Sequence, residues 1–117
     1  MTTLAVSGAA IRERARHTAA ARRQRREKAW GVARAAATLL KSRYHASRVV
    51  VFGSLTRNSQ FHLWSDVDIA AWGLAPGDYF EAVARVLDVG DDIKIDLVMA
   101  ERCKPHIREA IERGTEI

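Results

Sequence analysis

Val49-Val50-Val51-Phe52-Gly53-Ser54, followed after eleven intervening residues by Asp66-Val67-Asp68-Ile69, is the stretch from which the fold of this 117-residue chain can be read. The continuous β-branched run 49–52 predicts a strand covered on both faces. Gly53-Ser54 ends it, with one short helical turn after Gly53. Residues 66–72 alternate, Asp66, Asp68 and Ala70 on one face and Val67, Ile69 and Ala71 on the other, which predicts a second strand beginning at Asp66. Working outward toward the C-terminus, Asp78 stands as an N-cap ahead of a helix whose buried side is read as Phe80, Val83, Val86 and Leu87. Residues 94–99 alternate again, with Ile93, Ile95 and Leu97 opposite Lys94, Asp96 and Val98. A last helix starts at Pro105 and buries Ile107, Ala110 and Ile111; Gly114 stops it, and residues 115–117 add a short strand. Toward the N-terminus, Trp30, Ala33, Ala37, Leu40 and Tyr44 recur at helical spacing, which predicts an amphipathic helix. Helices and strands alternate throughout: an α/β (α+β) chain.

The formal net charge of +5 conceals two opposite halves. Residues 1–48 hold twelve Lys/Arg against Glu13 and Glu27, a net of +10; residues 49–117 hold seven against twelve carboxylates, a net of −5. This divides the chain into a basic extension, 1–28, helical or partly disordered, and a folded domain, 29–117. Within the extension, residues 11–28 are rich in Ala and Arg but poor in large apolar side chains, so they favour a helix without a firm docking face. Such a segment can hold RNA by counterion release, hold an acidic partner, or be a solvated helix. The single Cys103 excludes a disulfide scaffold and a thiolate cage, and His17, His45, His62 and His106 show no zinc spacing. Apolar runs are too short for a membrane span, and no secretory signal opens the sequence. A soluble, cytoplasmic protein is expected.

Gly53-Ser54 alone reads as an ordinary turn, and Asp66 with Asp68 alone as a solvated strand edge. Together with Asp96 they mean more. Carboxylates at i and i+2 of a strand share a face and resist joint ionisation unless a cation neutralises them. Carboxylate oxygens suit Mg²⁺, and Asp96 would complete the cluster if its strand neighbours the second one. Such a set serves in-line phosphoryl or nucleotidyl transfer. A glycine after a buried strand lets a phosphate approach the backbone, and Ser54 adds a donor.

The segments Gly53-Ser54-Leu55-Thr56-Arg57, Ser65-Asp66-Val67-Asp68-Ile69 and Ile95-Asp96-Leu97-Val98 resemble the DNA polymerase beta-type nucleotidyltransferase superfamily. The short length points within it to the minimal nucleotidyltransferases, antitoxin partners of HEPN-domain toxins. The resemblance spans about residues 30–117. It implies a small mixed sheet of three to four strands flanked by helices; the basic segment 11–28, a helical extension of this chain, has no counterpart in that pattern. It also implies Mg²⁺ (one or two ions) held by Asp66, Asp68 and Asp96, with Asp96 helping to deprotonate the acceptor. Gly53 and Ser54 would hold the triphosphate of ATP, and Arg57 would contact phosphate or serve a structural ion pair. The implied reaction is transfer of AMP from ATP to a hydroxyl, a tyrosine of a cognate HEPN toxin in a type VII-like toxin–antitoxin pair. A non-catalytic toxin-binding antitoxin and nucleotidyl transfer to RNA or a small molecule are the alternatives, and an oligomer is compatible with either. The sequence departs from the pattern at three places: residues 55–65 form a loop one residue longer than usual, Asn58 replaces a common glycine, and Phe61, His62, Leu63 and Trp64 crowd the loop. Trp64, beside the aspartates, is a candidate for stacking on a base.

Overall fold

Three consecutive valines cannot all face one core, and the sheet covers them from both sides. In the computed structural model, which describes residues 8–57 and 61–117, β1 (Arg48–Phe52) is buried from Val49 onward. Val49 and Val51 belong to one apolar cluster and Val50 and Phe52 to another across the sheet. β1 pairs antiparallel with β2 (Val67–Trp72) and with β4 (Thr115–Glu116); β2 pairs parallel with β3 (Ile95–Met99). The four-stranded mixed sheet has the order β3-β2-β1-β4. The parallel pair requires a crossover, supplied by α2 (Tyr79–Gly90). One face of the sheet carries α1 (Gly8–Tyr44) and α2, and the other carries α3 (Pro105–Glu112).

The basic extension and the amphipathic segment form one helix. α1 runs unbroken for 37 residues, about 55 Å at 1.5 Å per residue, and it accounts for overall dimensions of 66 × 27 × 22 Å. Its docked half buries Ala29, Ala33, Ala36, Ala37, Leu40 and Tyr44, spacings of three and four on one face. Burial begins at Ala29; before it the helix is largely exposed. Trp30 is only partly buried and packs at the margin of the core. His45, at φ 60°, ends the helix, and the Ala46 N–H donates to the Leu40 carbonyl at 3.0 Å.

Four local expectations need correction. β2 begins at Val67, so Asp66 lies just before the strand. Asp78 occupies the N-cap position of α2 but makes no side-chain capping bond, because it closes a 3₁₀ turn over Pro76–Asp78. α2 buries Ala82, Val86 and Gly90, while Phe80 is 83% exposed and Leu87 also faces outward. The reason is the alanine surface of α1: small residues let two helices approach closely, and Gly90 sits against Val32 and Ile95. On α3, Ile111 is buried but Ile107 and Ala110 only partly so, since that side of the sheet is covered by one short helix. Asn58 lies outside the described residues. Among the described residues no helix is long and apolar enough to cross a membrane.

Candidate active site

The parallel register places Asp68 of β2 directly opposite Asp96 of β3. Both alternate onto the α3 side, with Phe52 the partner of Asp68 on β1. Asp66 lies two residues earlier and close enough to act on Asp68 electrostatically. The Asp68 carboxyl is pushed up to about 6, first by burial and then by the negative charges of Asp96 and Asp66, with the Lys94 ammonium opposing them. Lys94 Nζ is 3.5 Å from Asp96 Oδ1.

Gly53 explains why the turn after β1 belongs to this group. Its φ is +75°, and a Cβ there would collide with Oδ2 of Asp68. Residues 53–56 form a 3₁₀ turn closed by the Thr56 hydroxyl donating to the Gly53 carbonyl at 2.7 Å and the Arg57 N–H donating to the Ser54 carbonyl at 3.0 Å. Ser54 is half-buried within the turn, and Arg57 is exposed at its end. The structure thus brings Gly53, Asp68 and Asp96 together and sets Ser54 and Arg57 on the adjoining turn.

Asp66 is placed differently. Asp68 and Asp96 line a cavity of about 460 Å³ with Phe52, Val83, Leu87 and Ile107 on its apolar wall. Asp66 lines a neighbouring cavity of about 420 Å³, with Arg25, Trp64 and Asp92. Lys94 lines both. Among the described residues no three Asp, Glu, His or Cys side chains already converge as a metal cage. The donor set nevertheless suits a hard divalent cation: the groups are carboxylates, two of them face each other, and one lysine offsets three negative charges. Lys94 is the site residue that the sequence motifs do not single out. Its signal is the alternation that puts it on the same strand face as Asp96.

A solved structure provisionally described as a minimal nucleotidyltransferase is similar to this chain, with a TM-score of 0.55 and 27% identity, covering 80% of this chain and 88% of that one. No family model and no curated protein matches the sequence. The mixed four-stranded sheet with three helices is therefore a nucleotidyltransferase-like fold.

Proposed function

We propose that this protein is a magnesium-dependent nucleotidyltransferase that moves AMP from ATP to a hydroxyl, the acceptor being a tyrosine of a cognate HEPN toxin. One observation carries the reading: Asp68 and Asp96 face each other in register, with the Gly53 turn pressed against Asp68. The likeness to the nucleotidyltransferase structure supports it. Asp66, Asp68 and Asp96 would hold one or two Mg²⁺ ions, which when bound neutralise charge on the attacking and leaving oxygens of an in-line displacement.

The chain's own groups bind and orient. The side-chain-free backbone at Gly53 admits the triphosphate, the Ser54 hydroxyl donates to it, and Arg57 adds charge at the rim. The acceptor oxygen bonds to the α-phosphorus as its bond to the β-phosphate oxygen breaks and pyrophosphate leaves. Asp96 assists removal of the acceptor proton. The apolar wall formed by Phe52, Val83, Leu87 and Ile107 suits an aromatic side chain delivered by a protein. Positioning and charge neutralisation supply the rate enhancement, within reach of a small domain.

The test is incubation with each α-labelled nucleotide, Mg²⁺ and a co-expressed HEPN partner, followed by mass spectrometry of the partner. A single added AMP on a tyrosine is expected; label on no species contradicts the reading. The position of Asp66 in the neighbouring cavity favours a second reading, a toxin-binding antitoxin without catalysis. Toxin neutralisation that persists in Asp66→Ala and Asp68→Asn selects it.

A further inference from the structure

The cavity that contains Asp66 has features the nucleotidyl-transfer reading does not use. Trp64 forms its outer lip and is 86% exposed, whereas Phe61 in the same loop is 3% exposed and carries the packing. A turn presents the indole: the Ser65 N–H donates to the His62 carbonyl at 3.1 Å, and the His62 N–H donates to the Ser65 hydroxyl at 3.0 Å. An indole held outward adds little to the core and leaves a large apolar face in water.

The charges lining this cavity balance, Arg25 and Lys94 against Asp66 and Asp92. Its interior therefore offers no net attraction to phosphate and suits an uncharged planar group. Net positive charge begins immediately outside. Arg25 belongs to α1, and from it the helix projects away from the domain carrying Arg12, Arg14, Arg22 and Arg23, none of them in an ion pair among the described residues. At 100° per residue, Arg14 and Arg22 lie on the same roughly 120° of helix surface as Arg25 and Lys28, which pair with Asp92 at the cavity, so the cationic row of the arm leads to its edge.

We infer that this surface binds single-stranded polynucleotide, its phosphates along the exposed arm of α1 and one base stacked on Trp64. A cationic track joined to an aromatic platform is how proteins hold single strands without sequence preference. A duplex would satisfy the arm but has no free base for the indole. An acidic peptide would leave Trp64 unexplained. The inference needs no catalysis, so it stands or falls apart from the proposed reaction.

The experiment is fluorescence anisotropy of the full-length protein with labelled oligo(U) RNA, oligo(dT) and a duplex of equal length, from about 50 to about 200 mM salt. Single strands of either sugar are expected to bind more tightly than the duplex, and a preference between them identifies the natural strand. Replacing Arg14 and Arg22 together by Glu should reduce the log–log salt slope by about 1.4, at roughly 0.7 per phosphate contact. Trp64→Ala should weaken binding about tenfold with the slope unchanged, and Trp64→Phe, which keeps a ring, should retain most of the affinity. Arg14, Arg22 and Trp64 are exposed, so the variants should fold, which circular dichroism verifies. Equal affinity for duplex and single strand, a Trp64→Ala protein that binds like wild type, or no binding at low salt overturns the inference.

Discussion

Two regions of this molecule treat carboxylates in opposite ways. At the sheet end, Asp68 sits beside Asp96 and within electrostatic reach of Asp66, with Lys94 as the nearby cation, and the Asp68 carboxyl rises to about 6. At the root of the arm, Asp92 is gripped by Lys28 at 2.5 Å and Arg25 at 2.6 Å, and its carboxyl falls to about 2, chiefly through the hydrogen bond from Lys28 and then that from Arg25. Pairing of the second kind fastens one element to another, here α1 to the turn before β3. Crowding of the first kind works against folding and makes sense where a ligand relieves it.

The most severe way to break the contrast is Gly53→Ala. A left-handed φ and a Cβ aimed at Asp68 should together cost about 2–4 kcal/mol, seen as a lowered urea midpoint. Transfer should be lost as well, because Asp68 must move.

Next in size is Asp68→Asn, which removes the crowding. The folded-state carboxyl of Asp68 is raised above its unfolded value, so the folded state holds more protons between about pH 4 and about 6. Stability from this group is therefore greatest below that window and declines as pH rises through it. The melting temperature of Asp68→Asn should match wild type near pH 4 and exceed it above pH 6. Magnesium added at neutral pH should raise the melting temperature of wild type and leave that of the variant nearly unchanged.

Lys94→Met sharpens the comparison by removing the opposing cation. The pH window of the wild-type decline should move upward, as measured by melting temperature across pH.

How much of this was legible in the sequence depends on the range of the interaction. The run 49–52, the alternation 94–99, Pro105 opening α3 and the strand after Gly114 are local patterns, and the structure has them where the patterns place them. α2 was legible as a helix but not in its orientation. It is apolar on more than one side, and the choice of Ala82 and Gly90 over Phe80 and Leu87 depends on the alanines of α1, more than 40 residues away. The facing of Asp68 and Asp96 needs β2 and β3 to be parallel neighbours, which no local pattern states. Asp66 lines the neighbouring cavity, which it shares with Lys94, because it precedes the strand at the end of the loop that carries Trp64.

The smallest expected effect belongs to the paired region. Asp92→Asn removes a carboxylate whose folded value is depressed, so its contribution is present above about pH 4 and disappears as pH falls toward 2. The variant should melt slightly below wild type at neutral pH and coincide with it in acid. An exposed arm substitution such as Arg23→Ala should change stability by less than about 0.5 kcal/mol.

The account rests most directly on Asp96, the partner of Asp68 across two strands. The decisive measurement is transfer of label from α-labelled ATP in the presence of Mg²⁺ by wild type and by Asp96→Asn, both verified as folded. The account predicts transfer by wild type and a loss of more than about a hundredfold in the variant, more than removal of an outer-shell partner of a metal site costs. Equal transfer by the two proteins would contradict it.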